Sequence, residues 1–341
     1  MKKHTKKLIS ILTLGTLIAS LSLTGGCGKD DDQHYIAVIS KSRDQYWDAT
    51  KKGAEDAGEE MNIKVTYEAS EKEDVKAQVN YVKNAISRKV DVIVIAPVED
   101  SDELADVLQE AQSNNIPVIT IDSDIREELR SSCISTNNQY GGAIAARKTA
   151  ELLGNSGNIG IITHSPTSPT AIERKGGFTS QLEEYNTEAG ENVFNILATE
   201  NGNGDIEQSK EAATKLINDN PDIKAIFATN QGGTIGTCMA VDELGKEDTV
   251  QVIGFDSFKS GDGFNSAEQY SESGVLDGFI VQNPYNMGYL GVRYARDLIN
   301  GQSIASAIDT GATLVTIDNI NNSDVQLIMN PTKLMEEFNN G

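Results

Sequence analysis

Positive charge is what this sequence most lacks. Its 341 residues carry 29 Lys and Arg against 51 Asp and Glu, a formal net charge of −22. Nucleic acids and anionic lipid surfaces are held mainly by clustered Lys and Arg, so a chain this acidic is expected to bind neither. Cysteine is nearly as scarce, with three in all, at positions 27, 133 and 238. No Cys/His spacing of the zinc type is present, and no metal is expected. Cys133 ends an apolar segment and Cys238 lies within a helical one. A disulfide would need their Cα atoms within about 7 Å, so two separately buried thiols are expected. After the first two dozen residues no stretch is apolar for long enough to cross a bilayer. Tryptophan occurs once, as Trp47.

The beginning of the chain is the exception to its acidity. Lys2, Lys3, Lys6 and Lys7 precede an apolar stretch over 8–23 that ends in small residues, the pattern of a secretory signal peptide over 1–27. The segment LTGGC resembles a bacterial lipobox, although Leu23 stands four residues before Cys27 rather than three. Cys27 is accordingly expected to be lipidated and to hold the protein on the outer face of the membrane. Without the four leader lysines, 25 basic side chains face 51 acidic ones, a net charge near −26. Residues 28–33, with three consecutive aspartates, read as a solvated tether.

About 314 residues follow the leader, too many for one ordinary core, so two domains are expected. From Tyr35 onward, short β-rich runs such as YIAVIS, DVIVIAP and PVITID alternate with amphipathic stretches over 46–61, 74–88 and 102–114. After SSCIST a second series begins, with helical stretches over 139–153, 171–185, 205–220 and 233–244 between NIGIITH, NVFNILA, IKAIFATN, VQVIGF and VLDGFIVQ; a last one follows at 284–299. Alternation of this kind predicts an α/β fold of two doubly wound parallel-sheet lobes. In such sheets ligands sit at the carboxyl ends of the strands. Polar or aromatic residues collect at those ends: Asp44, Tyr46 and Trp47, then Asp122, Asn230, Asp256 and Gln282. Lobes that face each other bring these ends to one cleft.

At this point the chain resembles the type I periplasmic binding proteins, and within them the ribose- and galactose-binding receptors of ABC importers. The fragments that carry the likeness are DQYW, DVIVIAPVEDSDEL, NIPVITIDSD, ERKGGF, IFATNQGGTIG, VIGFDS, IVQNPYNMG and TLVTIDNI, in that order over about 35–320. The resemblance implies two lobes joined by three crossovers, an N-terminal one of 34–136 plus 283–316 and a C-terminal one of 137–282 plus 317–341. It implies a monomeric receptor that takes a pentose or hexose and passes it to a membrane permease, with no cofactor and no catalysis. By position, Tyr46 and Trp47 match an aromatic pair that stacks on the sugar ring. Asp122, Arg174, Asn230, Asp256 and Gln282 match partners of its hydroxyls, and Asp44 a polar position just ahead of the pair. A sugar presents apolar C–H faces and a hydroxyl rim, so aromatic planes beside carboxylate, Arg, Asn and Gln suit both parts.

Three positions depart from the ribose pattern: Ser123 replaces an arginine after the aspartate, Ala96 an asparagine before Pro97, and Ile206 an aromatic residue frequent in the family. A sensor that shows its closed state to a membrane kinase or chemoreceptor is the alternative function; the cleft would then take a sugar or a furanone signal. An enzyme would need a nucleophile elbow, a metal cluster or a Ser-His-Asp arrangement, none of which the sequence contains. Transcription regulators that share the core carry a DNA-binding motif where this chain has its leader.

Overall fold

The computed structural model describes residues 33–43, 45–154 and 156–330. The expected leader, tether and lipidated Cys27 lie outside these, apart from Gln33, as do Asp44 and residues 331–341.

Strands and helices alternate along the chain. The first series is β1 (Tyr35–Ile39), α1 (Gln45–Met61), β2 (Lys64–Glu68), α2 (Val75–Ser87), β3 (Val92–Ile95), α3 (Asp102–Ser113), β4 (Val118–Ile121) and β5 (Ser132–Ser135). The second is α4 (Asn138–Leu153), β6 (Gly157–Thr163), α5 (Pro169–Ala189), β7 (Phe194–Asn201), α6 (Ile206–Asp219), β8 (Ile223–Ala228), α7 (Gln231–Leu244), β9 (Gln251–Phe255), α8 (Ala267–Glu272) and β10 (Gly278–Val281). The chain ends through α9 (Pro284–Ile299), β11 (Ala307–Asp309), β12 (Thr313–Val315) and α10 (Ser323–Met329). Two six-stranded sheets result, in the orders β11-β5-β4-β3-β1-β2 and β12-β10-β9-β8-β6-β7. Every pairing is parallel except that of β10 with β12. The expected α/β fold of two parallel-sheet lobes is what forms.

The pattern of each strand follows its place in the sheet. VIVI of β3 and VITI of β4 are buried at every position, because helices cover both faces of a central parallel strand. β7, at an edge, alternates buried or half-buried residues with exposed ones, as one-sided covering demands. Helices start where side chains take up free backbone N–H groups: Asp74 accepts from Ala77 N, Ser101 from Leu104 N, and Asn230 from Gly233 N. Cys133 and Cys238 are both buried and unpaired, one in β5 and one in α7, as expected.

One boundary differs from expectation. The first lobe was expected to reach residue 316, but β12 pairs antiparallel with β10, Val315 opposite Phe279, and so belongs to the second sheet. β11 lies beside β5 in the first sheet, which puts the third crossover at 310–312, where Gly311 adopts a φ of 86°. A three-residue edge strand shows no periodicity, so its sequence could not say which sheet it joins. The C-terminal segment packs through Val325 onto the second core, as do Ile328 and Met329.

Candidate functional site

The carboxyl ends of the two sheets meet across a cleft of about 660 Å³. Seven expected residues line it, Tyr46, Trp47, Asp122, Arg174, Asn230, Asp256 and Gln282; the eighth, Asp44, is outside the described residues.

The first-lobe wall starts at the opening turn of α1. Trp47 is only 6% exposed and packs into the core beneath, so the ring that edges the cleft is also a structural one. Tyr46 meets it edge-on, centroids 4.9 Å apart and planes at 82°. Planes so nearly perpendicular cannot both lie flat on one face of a ligand. The Tyr46 hydroxyl donates to Asp122 Oδ1 at 2.7 Å, while Lys41 Nζ lies 2.8 Å from Asp122 Oδ2. Burial pushes the Asp122 carboxyl up, but Lys41 and Arg174, with the Tyr46 hydrogen bond, outweigh it and hold it below the usual carboxylate range.

The second-lobe wall has a matching carboxylate. Asp256 follows β9 as Asp122 follows β4, and both sit in the left-handed region, φ 70° and 64°. For a non-glycine residue this conformation costs on the order of 1–3 kcal/mol and persists where the surroundings enforce it. Here the next strand enforces it: Asp122 N donates to Ile134 O at 3.0 Å and Asp256 N to Ile280 O at 2.7 Å. Neither aspartate caps a described helix.

Arg174, 3% exposed, lies over the Phe255 ring with its guanidinium carbon 3.8 Å from the centroid. Its Nε donates to Asn138 Oδ1 and its Nη1 to Thr229 O, each at 2.8 Å, with Asp256 Oδ2 3.8 Å from Nη1. Burial raises the Asp256 carboxyl above its ordinary value, and Arg174 and Gln282 offset this only in part. Gln282 donates Nε2–H to Asp256 Oδ1 at 2.7 Å, whereas its Oε1 is buried with no hydrogen-bond partner. A buried acceptor left unmatched costs on the order of 1–3 kcal/mol, so this atom asks for a donor from a guest. Asn230 spends its Oδ1 on Gly233 N at 2.9 Å, which leaves its amide to donate.

Sequence reasoning singled out neither Lys41 nor His164 as a ligand partner, although both line the cleft. Lys41, two residues beyond β1, gave no signal in a loop of mixed residues; only its neighbours across the sheet make it part of the wall. His164 bonds Thr229 Oγ1 through Nδ1 at 2.8 Å and Thr170 Oγ1 through Nε2 at 3.2 Å. Burial, with Arg174 and Lys41 nearby, holds its pKa well below the usual value, so the ring is neutral and serves as a brace. Ile206 also lines the cleft, an aliphatic side chain at the first position of α6. Among the described residues no cluster of three or more His, Cys, Asp or Glu could hold a metal.

Comparison with known proteins places this geometry. A family model described as a periplasmic binding protein domain matches residues 36–303. The chain belongs to that family. The ribose import binding protein RbsB of Escherichia coli K12 is 26% identical over 312 residues, covering 92% of this chain and 99% of its own. The Bacillus subtilis protein of the same name is 24% identical over 82% of this chain and 85% of its own. Among solved structures, a carbohydrate transporter solute-binding protein from Agrobacterium radiobacter in complex with D-arabinose has a TM-score of 0.80 and 30% identity, covering 88% of this chain and all of its own. An Agrobacterium vitis ABC transporter solute-binding protein bound to α-D-tagatopyranose has a TM-score of 0.80 and 27% identity over 87% of this chain and 99% of its own. These relatives are transport receptors, and this periplasmic binding protein is likewise a binder and not an enzyme.

Proposed function

We propose that this protein captures a monosaccharide, a pentose or hexose, between its lobes and delivers it to the permease of an ABC importer. Cys27 carries the lipid that keeps it at the outer face of the cell membrane, and it works as a monomer. The observation that carries this reading is the composition of the cleft. Two aromatic rings, a charged Asp122 and a fixed Arg174 stand around a space in which the buried Gln282 Oε1 lacks a donor. A sugar supplies what each of these wants: a C–H face for a ring, and hydroxyls that both donate and accept. The relatives named for ribose and bound to D-arabinose or tagatose support the same class of ligand.

The lobes act in sequence. A sugar first rests on Tyr46 and Trp47, and Arg174, Asn230 and Asp256 then close over it, with Gln282 at the second crossover. Closure is a hinge motion, and the permease reads the closed state because it prefers that state.

The test uses the single tryptophan, which lies in the cleft. Titrating the mature chain with D-ribose, D-arabinose, D-allose, D-tagatose, D-fucose and D-galactose is expected to change Trp47 emission saturably with one sugar. That sugar should also raise the melting temperature, since a ligand at 100 times its Kd adds about 2.7 kcal/mol to stability. A panel without effect on either readout refutes the sugar assignment.

A further inference from the structure

A second cavity adjoins the cleft near the second crossover. Its volume is about 330 Å³, and among the described residues three line both spaces, Tyr46, Asp256 and Gln282. The rest of its lining is largely apolar and comes from both lobes: Ala49 of α1 and Pro284 at the start of α9, with Phe258, Val281, Ile328 and Met329 of the second lobe. We propose that this cavity is a second binding site, for a small aromatic molecule with a hydrogen-bond-donating chain, an alcohol or an amine, and that its occupant weakens sugar binding. The site stands on its own lining, whereas the coupling rests on the sugar-binding reading above.

Size and lining select the ligand. A dry cavity of ~150 Å³ holds a benzene ring, so about twice that volume holds a ring with a short chain. Ligand sites begin near ~300 Å³ and combine an apolar lining with a few polar groups. Phe258 and Val281 are each 2% exposed, and the Met329 thioether is a polarisable partner for an aromatic ring. Asp256 and Gln282 are buried acceptors, and Gln282 Oε1 has no hydrogen-bond partner. Because Gln282 borders both spaces, a donor can approach it from either. An acceptor already satisfied from the second cavity gains less from a sugar hydroxyl, which makes the coupling negative and finite. By linkage the sugar weakens the aromatic ligand by the same factor. The bland explanation is a packing gap beside a hinge, which would show no preference for a donor.

Calorimetric titration of the mature chain with 2-phenylethanol and 2-phenylethylamine separates the two. The control is the methyl ether of 2-phenylethanol, which keeps the ring and loses the donor. At least one of the donors is expected to saturate a single site and to bind about fivefold or more tightly than the ether. Ala49→Phe, which adds a ring to the cavity wall, should weaken that probe by about tenfold or more. The sugar identified by Trp47 emission is then titrated at rising concentrations of the probe. Its apparent Kd should climb by about threefold or more and level off, and in Ala49→Phe it should no longer respond. No binding by either donor overturns the proposal, and so does an ether that binds as well as they do. Probe affinity in Ala49→Phe equal to that of wild type overturns it too. An apparent sugar Kd that climbs without levelling off puts the probe in the sugar cleft and also overturns the second site, while one that never moves refutes the coupling. Melting of the free variant checks its fold, and if it does not fold, Ala49→Leu takes its place in the same titrations. A chain that binds the probe but no sugar refutes the functional reading and leaves the site standing.

Discussion

Asp122 and Asp256 occupy the same kind of position, the first residue after a central strand, with the same left-handed backbone and the same hold on the next strand's carbonyl. Their carboxyl pKa values shift in opposite directions because their neighbours differ. Asp122 faces Lys41, Tyr46 and Arg174 and stays ionised well into acid, while Asp256 has Arg174 at a longer reach and a neutral Gln282, and burial prevails. Tyr46 is the cleanest single change by which to probe this wall. Tyr46→Phe keeps the ring but removes the donor to Asp122 Oδ1, a hydrogen bond to a charged group worth about 1.5–3 kcal/mol. Urea unfolding should show a loss of that size at an unchanged slope, and no measurable loss would mean that water replaces the hydroxyl at no cost. That these residue types would converge was legible from their places at strand ends. Their pairing was not, because hydrogen bonds such as Tyr46 to Asp122 join residues 76 positions apart.

Between elements, the site depends on how closely two helices approach. α5 carries Arg174, and α4 lies so near that a Cβ on Gly142 would stand 2.0 Å from Arg174 O. Gly142→Ala must therefore spread the helices, at about 1–3 kcal/mol for overpacking, and move Arg174 with them. Gly176, also within α5, has nothing within 4 Å of such a Cβ. Gly176→Ala should stabilise the helix by roughly 0.5–1 kcal/mol, so the two substitutions should move the melting temperature in opposite directions. Equal shifts would deny the close approach. The order of helices and strands was legible because their periods differ. The three-residue strands β11 and β12 were not, since strands so short make pairing partners and no pattern.

Across the whole molecule, the excess of acidic groups makes stability depend on pH, and one buried carboxyl sets part of the slope. Asp277, immediately before β10, accepts from Val252 N at 2.8 Å, and its pKa is raised from 3.8 to about 6, mainly by burial. A folded state with the higher pKa binds more protons than the unfolded chain between these values. Its contribution therefore falls as pH rises from about 4 to 6 and is flat above. Asp122 acts in the opposite sense, with a contribution that is present above its unfolded value and lost as pH falls through its lower folded one. Asp277→Asn keeps an acceptor for Val252 and should make stability fall less between pH 4 and 6. Melting curves that rise and fall in parallel with wild type across that range would remove Asp277 from the account.

The sequence by itself determined the alternation of strands and helices, the two parallel sheets and the strand ends at which polar residues collect. Each of these follows from local periodicity and from the burial of central parallel strands on both faces. Only the tertiary structure decided which sheet the last short strand joins, that Trp47 belongs to the core as well as to the cleft, and that Lys41 stands beside Asp122. Sheet order made that last contact. β3 lies between β1 and β4, so the residues past β1 and those after β4 come within reach only once all three strands are paired.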